Sequence, residues 1–290
     1  MIQKMINFFK IVFSFLLLRK PAIIIVTPNN IRLGNHLYYL LHCNIENKRS
    51  TLFKYVILED DNLVEWLIKF PELRKLVKNK EKVKRLDIKK KDYSFFQRFG
   101  KDFTEVELND FIDIYIKPEI IKFESSEFSS DDLIINLRIG DYYASVHESK
   151  YGFNQTEYVK FIFNHSENFS LKKYTKIIII SDDQNWCKKH LNFLDKYCEE
   201  LIISDEYNDA FKCLIGISLS KNLIISNSTF SYWGAYISNR INNCYNVIAP
   251  AFHSRAVQDE ISYQLNPKWK IVSKEEFNFD QLVCKDLKMP

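Results

Sequence analysis

The residues with the most to offer chemically sit where apolar runs give way to polar ones. Leu223-Ile224-Ile225 is followed by Ser226-Asn227-Ser228-Thr229 and then by Phe230-Ser231-Tyr232-Trp233-Gly234-Ala235-Tyr236, the pattern of a strand, a tight turn and a helix start. Such a turn points backbone N–H groups out of the positive end of a helix dipole, and the Ser228 and Thr229 hydroxyls add donors beside them, a combination suited to phosphate. The competing reading of Ser228 is an N-cap for a buried helix. Arg138 follows another apolar run, and its planar, always charged guanidinium can grip a phosphate through two hydrogen bonds. Asp182 and Asp183 end a third run. Adjacent on a strand end, their carboxylates point different ways and are poorly placed to share a metal, so they read as orienters of Arg138 or of a hydroxyl-rich ligand. The chain contains no Asp-x-Asp, no Gly-x-x-x-x-Gly-Lys and no Gly-x-Gly-x-x-Gly. A diphosphate leaving group would therefore be neutralised here by Arg and a helix N-terminus, without a metal.

These groups need a scaffold that brings strand ends together. Apolar runs at Leu133–Ile135, Ile177–Ile180, Leu201–Ile203, Leu223–Ile225 and Val247–Ile248, mostly with helix-length spacers, predict a parallel α/β sheet. Ligands of such sheets bind beyond the carboxyl ends of the strands. Those ends carry Asn136, Arg138, Gly140 and Asp141; Ser181, Asp182 and Asp183; Ser204 and Asp205; and Asn227, Ser228 and Thr229. The first half of the chain predicts another α/β lobe. Strands are expected at 22–26 and 54–58, a Gly34 loop leads into a helix from His36, helical segments lie at 63–68 and 73–77, and a further strand is expected at 111–116. The Ser-rich stretch 122–131 reads as the linker. The expected organisation is an apolar helix at 1–20, a Rossmann-like lobe at 21–125, a second at 131–275 and a tail at 276–290.

At 290 residues, 46% hydrophobic and 27% charged, the chain has the composition of a globular protein with room for two domains. Six scattered cysteines suggest neither a zinc site nor a disulfide framework and fit reduced thiols in the cytoplasm. Residues 6–18 are strongly apolar between Lys4 and Arg19-Lys20, too short to span a bilayer. They read either as packing against the protein's own body or as an interfacial helix with basic residues at anionic headgroups, a peripheral contact with the inner face of the cytoplasmic membrane. From Arg74 to Lys91 ten basic residues face only Glu81 and Asp87. With no aromatic residue among them for base stacking, nucleic acid is disfavoured as a partner, and a solvated helix face is the expectation.

Leu33–Leu37, Asn136–Tyr142, Ser181–Asp183 with Trp186-Cys187, Leu223–Tyr236 and Val247–Pro250 together resemble segments of the bacterial α-1,2-fucosyltransferases, which are related more distantly to α-1,6- and protein O-fucosyltransferases. Leu33-Gly34-Asn35-His36-Leu37 is similar to that family's Gly-Gly-Leu-Gly-Asn-Gln motif, and Asn136-Leu137-Arg138-Ile139-Gly140-Asp141-Tyr142 to its His-x-Arg-Arg-Gly-Asp-Tyr motif. Ser181-Asp182-Asp183 with Trp186-Cys187, the Leu223–Tyr236 stretch and Val247-Ile248-Ala249-Pro250 also have counterparts, so the resemblance covers roughly Ile23 to Pro250. It implies a GT-B fold with two Rossmann-like lobes and a cleft between them, the first on the acceptor side and the second holding a GDP-sugar. It further implies an inverting transfer of L-fucose, or a related 6-deoxysugar such as colitose, to a galactose-like hydroxyl of an oligosaccharide acceptor, with no metal or other cofactor. Such a hexosyltransferase, a galactoside α-1,2-fucosyltransferase, would serve surface polysaccharide (O-antigen or capsule) biosynthesis, and an interfacial N-terminal helix would suit a lipid-linked acceptor.

Carried over, Arg138 would grip the β-phosphate and stabilise the departing GDP. Ser228, Thr229 and Phe230, with Asn227, Asn136 and Ser181, would hold the donor, Asp182 or Asp183 would fix Arg138, and Gly34 with Asn35 or His36 would approach the reaction centre. His36 and Asp141 are both candidates for the base that takes the acceptor proton. The chain departs from the family where Asn136 replaces the motif's His, Ile139 its second Arg and Arg32 a Gly. Cys213 stands where relatives carry a guanine-reading Asp, which leaves Asp209, one helical turn earlier, as the nearest carboxylate. The Asn136, Ile139 and Cys213 changes motivate one alternative, a nucleotide-sugar-binding relative without activity, and the basic stretch from Arg74 to Lys91 motivates another, a membrane-surface binding module.

Overall fold

The computed structural model describes residues 6–7, 9, 21–91, 96–123, 129–143, 145–203, 209–256 and 261–280. The expected apolar helix at 1–20 and the strand-end pair Ser204 and Asp205 lie almost wholly outside them. The chain divides into two compact units, Met1–Glu119 and Ile120–Pro290. The division falls just upstream of the stretch expected as a linker, of which residues 124–128 lie outside the described ones.

In the first unit, β1 (Ala22–Val26), α1 (Leu33–Arg49), β2 (Lys54–Leu58), α2 (Asp61–Lys69), β3 (Val77–Lys78), β4 (Ile88–Lys91) and α3 (Glu105–Tyr115) succeed one another. The four strands are parallel, in the order β3-β2-β1-β4. Four expectations are corrected. The segment expected as a strand at 111–116 belongs to α3, because Leu108, Phe111, Ile112 and Tyr115 recur at helical spacing and are buried together, and Thr104 with Glu107 closes a capping box before them. Residues 73–77 form the end of a 3-10 turn (Pro71–Leu76) and the start of β3 instead of an α-helix. The basic stretch is no helix face either: it runs through that turn, β3, a short turn at Lys80–Lys82 and the edge strand β4. Gly34 lies in the first turn of α1, where Arg32 in extended conformation is the N-cap.

The second unit is the expected parallel α/β domain. It contains β5 (Asp132–Leu137), α4 (Gln155–Asn164), β6 (Tyr174–Ser181), α5 (Gln184–His190), β7 (Cys198–Ile202), α6 (Ala210–Leu219), β8 (Asn222–Ile225), α7 (Thr229–Asn242), β9 (Asn246–Pro250) and β10 (Lys270–Val272). Its sheet order is β10-β9-β8-β5-β6-β7 and every pairing is parallel. Counted from β5, this is the doubly wound order 3-2-1-4-5-6, in which the chain reverses direction between β5 and β8. β5 is buried at all six positions, as a strand covered by helices on both faces must be. The expected tail also begins late, since Phe277 and Phe279 belong to the buried core beside Phe153, Tyr158 and Phe252.

Candidate functional site

The site is built at the reversal point of the second sheet. Register sets Asn136 of β5 opposite Ile180 of β6 on one side and Ile225 of β8 on the other, so the chain emerges at Arg138, Asp182 and Ser226–Ser228 from three neighbouring strand ends. A buried network fixes the turn after β8 to β5. The Ser226 amide donates to the Asn136 carbonyl at 3.0 Å, the Ser231 hydroxyl donates to Asn136 Oδ1 at 2.5 Å, and Ser226 and Ser231 hydroxyls lie 3.2 Å apart. Asn136 Nδ2 donates to the Ile180 carbonyl at 2.9 Å, so its carboxamide is spent inside the fold, tying β5 to β6 and to α7.

Arg138 is held from three sides. Its Nε donates to Asp141 Oδ1 at 2.9 Å, its Nη1 forms an ion pair with Asp182 Oδ2 at 2.9 Å, and its Nη2 makes no hydrogen bond among the described residues. The main chain of Arg138 is bracketed by the buried Gln155 side chain, whose Oε1 accepts from the Arg138 amide at 3.3 Å and whose Nε2 donates to its carbonyl at 2.6 Å. Burial alone would weaken the guanidinium's hold on its proton, but Asp182 and then Asp141 outweigh it and push the pKa above its ordinary value. The side chain is 20% exposed, which leaves an edge of the cation open to a ligand. Tyr142, stacked on Tyr151 with centroids 5.2 Å apart, lies 6.0 Å from the Arg138 guanidinium carbon and offers a flat aromatic face beside it.

The paired aspartates separate as strand-end geometry requires. Asp182 Oδ1 accepts from the Ile139 and Gly140 amides at 2.7 and 3.1 Å while its other oxygen holds Arg138, so Asp182 is the orienter. Asp183 instead caps α5, accepting from the Trp186 amide at 2.9 Å. Gly140 is required by this clamp, because a Cβ there would stand 2.7 Å from Asp182 Oδ2. Ile139 is buried in the core, so the position of the family's second Arg supplies no charge.

Ser228 is the N-cap of α7, its hydroxyl accepting from the Phe230 amide at 3.3 Å, and Thr229 and Phe230 are half-buried at the first turn. The N-cap reading of Ser228 is the one the structure shows, and the cap stands at the positive end of the α7 dipole. Asn227 staples the turn in place, donating to the Tyr151 and His253 carbonyls at 2.9 and 2.8 Å, and its buried Oδ1 has no partner among the described residues. Ser181 accepts from the Asp183 amide at 3.2 Å. Asp209 caps α6 through the Phe211 amide at 2.6 Å. One turn on, burial and the nearby Asp209 and Asp182 charges push the half-buried Cys213 thiol up to about 12.

Gly34, Asn35 and His36 belong to the first unit. His36 is wholly buried, with Nε2 2.7 Å from Asp60 Oδ2, and its Nδ1 has no hydrogen-bond partner among the described residues. Asp60 in turn caps α2 through the Leu63 amide, and Asn35 Oδ1 accepts from Gln97 Nε2 at 3.0 Å. Gln155, Ser231 and Tyr158, whose hydroxyl donates to the Ile225 carbonyl at 3.2 Å, carry much of the site's positioning. Sequence reasoning missed all three: they are ordinary polar residues on helices, and only the register reveals what they face. Among the described residues no group of three or more His, Cys, Asp or Glu is placed to hold a metal ion, and no helix is long and apolar enough to cross a membrane.

An alpha-1,2-colitosyltransferase of Escherichia coli is 27% identical over 135 residues, a stretch covering 42% of this chain and 43% of that enzyme. The aligned part therefore spans less than half the length of the curated relative. A crystal structure of POFUT1 in complex with GDP is similar at a TM-score of 0.41 and 11% identity, over 79% of this chain and 97% of that one. The model of glycosyl transferase family 11 matches residues 10–272, almost the whole of both units, and the chain belongs to that family of glycosyltransferases.

Proposed function

We propose that the protein is an inverting, metal-independent transferase of GT-B type. It moves L-fucose, or a related 6-deoxysugar such as colitose, from its GDP donor to a galactose-like hydroxyl, forming an α-1,2 linkage during surface polysaccharide assembly on the cytoplasmic side of the membrane. The observation that carries the reading is Arg138, a cation clamped by Asp182 and Asp141 at the end of β5, next to β8, the strand that leads into the N-terminus of α7. A diphosphate there meets a fixed guanidinium and a helix dipole, the two devices that stabilise a departing nucleoside diphosphate without a Lewis acid. Family membership and the resemblance to an alpha-1,2-colitosyltransferase support the choice of a 6-deoxysugar.

Asp209 or a neighbouring group takes over reading of the base, since the Cys213 thiol is held protonated by its burial. Asp141 is the better candidate for the base that accepts the acceptor proton: its side chain is 32% exposed in the loop that carries Arg138, whereas the His36 imidazole is wholly buried against Asp60. The test is incubation with GDP-fucose or GDP-colitose and lactose, with and without chelator. The expected result is chelator-insensitive release of GDP with formation of a trisaccharide, abolished by Arg138→Ala. Tight GDP-sugar binding with no turnover on any galactoside would instead identify a binding protein, and release that requires added divalent cation would overturn the metal-independent mechanism.

A further inference from the structure

The charge of this chain is concentrated in one place. Its 41 basic and 37 acidic side chains leave a net +4, yet without the segment from Arg74 to Lys91 the count becomes 31 basic against 35 acidic. The structure shows that this segment is the crossover from one edge of the first unit's sheet to the other, from β3 to β4. The crossover is held rigidly. Asp87, buried, accepts from the Ala22 amide at 3.2 Å and the Lys84 amide at 2.7 Å and pairs with Lys78 Nζ at 3.2 Å, while Val83 packs against Ala22, Ile24 and Val56. One of the two acidic residues is thus consumed internally. Lys80, Lys82, Lys84 and Arg85 remain exposed on the crossover, and Lys89, Lys90 and Lys91 are exposed along the edge strand.

Lysines on β4 alone would serve to block edge-to-edge pairing. Four more cations on a pinned crossover exceed that need. The Asp87 contact also ties the crossover to Ala22, the first residue of β1. Seven exposed cations on one pinned segment form a cluster of the size that the negative surface potential of anionic lipid attracts.

We propose that the crossover face, from Lys80 to Lys91, docks on a bilayer rich in anionic phospholipid headgroups. Surface charge selects the membrane and holds the first unit at the lipid surface. The inference stands on charge and packing and does not rest on the identity of the donor sugar. Nucleic acid fits less well, because residues 74–91 include no aromatic side chain on which a base could stack.

The test is co-sedimentation of the full chain with vesicles of phosphatidylcholine, alone or with about 30% phosphatidylglycerol, at about 0.1 M and about 0.5 M NaCl. The expected result is binding to the anionic vesicles only, lost at the higher salt. The variant K80Q/K82Q/K84Q/R85Q should lower partitioning roughly 100-fold while leaving its thermal transition and GDP binding unchanged. The edge-strand variant K89Q/K91Q, which leaves the crossover intact, should lower it roughly 10-fold. Equal binding to neutral vesicles, unchanged partitioning of both variants, or displacement from anionic vesicles by an equimolar RNA duplex would overturn the proposal.

Discussion

The surroundings of Arg138 engage two of its three side-chain nitrogens, Nε and Nη1. Asp182 shows how closely this is specified: one carboxylate supports two backbone amides of the 139–140 turn and the guanidinium together. Gly140→Ala should therefore act through Asp182, which the new Cβ would displace, and is expected to weaken GDP binding about 10-fold with little change in the thermal midpoint. Titration calorimetry alongside a melting curve separates the two effects, and equal GDP affinity would contradict the clamp. Arg138→Lys keeps the charge but cannot engage Asp141 and Asp182 while presenting a further donor, so kcat/KM should fall by about 100-fold or more in steady-state transfer assays. The sequence displayed Arg138, Asp182 and the Ser-Thr turn because each stands where an apolar run ends. It could not separate Asp182 from Asp183, because the two are chemically alike and only the direction of each side chain decides. Nor could it show that Asn136 is a structural cross-tie, since its partners, Ile180 and Ser231, lie 44 and 95 residues away.

At the scale of elements, the second unit was the more legible because its strands are continuous apolar runs separated by helices. Five of its six strands stand where the runs predicted them; β10, three residues long and half exposed, carried too little pattern to be seen. The first unit misled where composition and period disagreed. α3 carries the apolar cluster Phe111-Ile112-Asp113-Ile114-Tyr115-Ile116, whose β-branched and aromatic content resembles a strand, and the capping box that starts the helix lies seven residues before it. Close packing of α6 on α7 sets the helix that carries Ser228 and Thr229. A Cβ at Gly234 would stand 2.5 Å from Ile217 Cγ2. Gly234→Ala should thus destabilise the protein by about 1–3 kcal/mol in chemical denaturation, despite alanine's better helix propensity. In a double-mutant cycle with Ile217→Ala the two costs should fall short of their sum; strict additivity would show that the two side chains do not collide.

The molecule as a whole carries a pH liability unrelated to chemistry. His253 is buried beside Tyr151 and Tyr232, and loss of hydration lowers its pKa from 6.5 to about 4. In the unfolded chain this imidazole takes up a proton below pH 6.5, whereas the folded protein resists it down to about 4, so stability falls as pH drops through that window. The contribution amounts to about 3 kcal/mol at the acid end, and His253→Gln should flatten the acid limb of a plot of melting temperature against pH; an unchanged limb would place the titration elsewhere. The two-unit α/β organisation was legible because polar strand ends repeat, and the family was legible because its motifs fall on those ends. The central claim is that the β5 and β8 strand ends of the second unit hold the diphosphate of GDP without a metal. Isothermal titration of GDP into the protein in excess EDTA tests it most directly: the wild type should bind, and Arg138→Ala, still folded by its melting curve, should bind about 10-fold to 100-fold more weakly. Equal affinity of the two proteins, or wild-type binding that appears only after a divalent cation is restored, would contradict it.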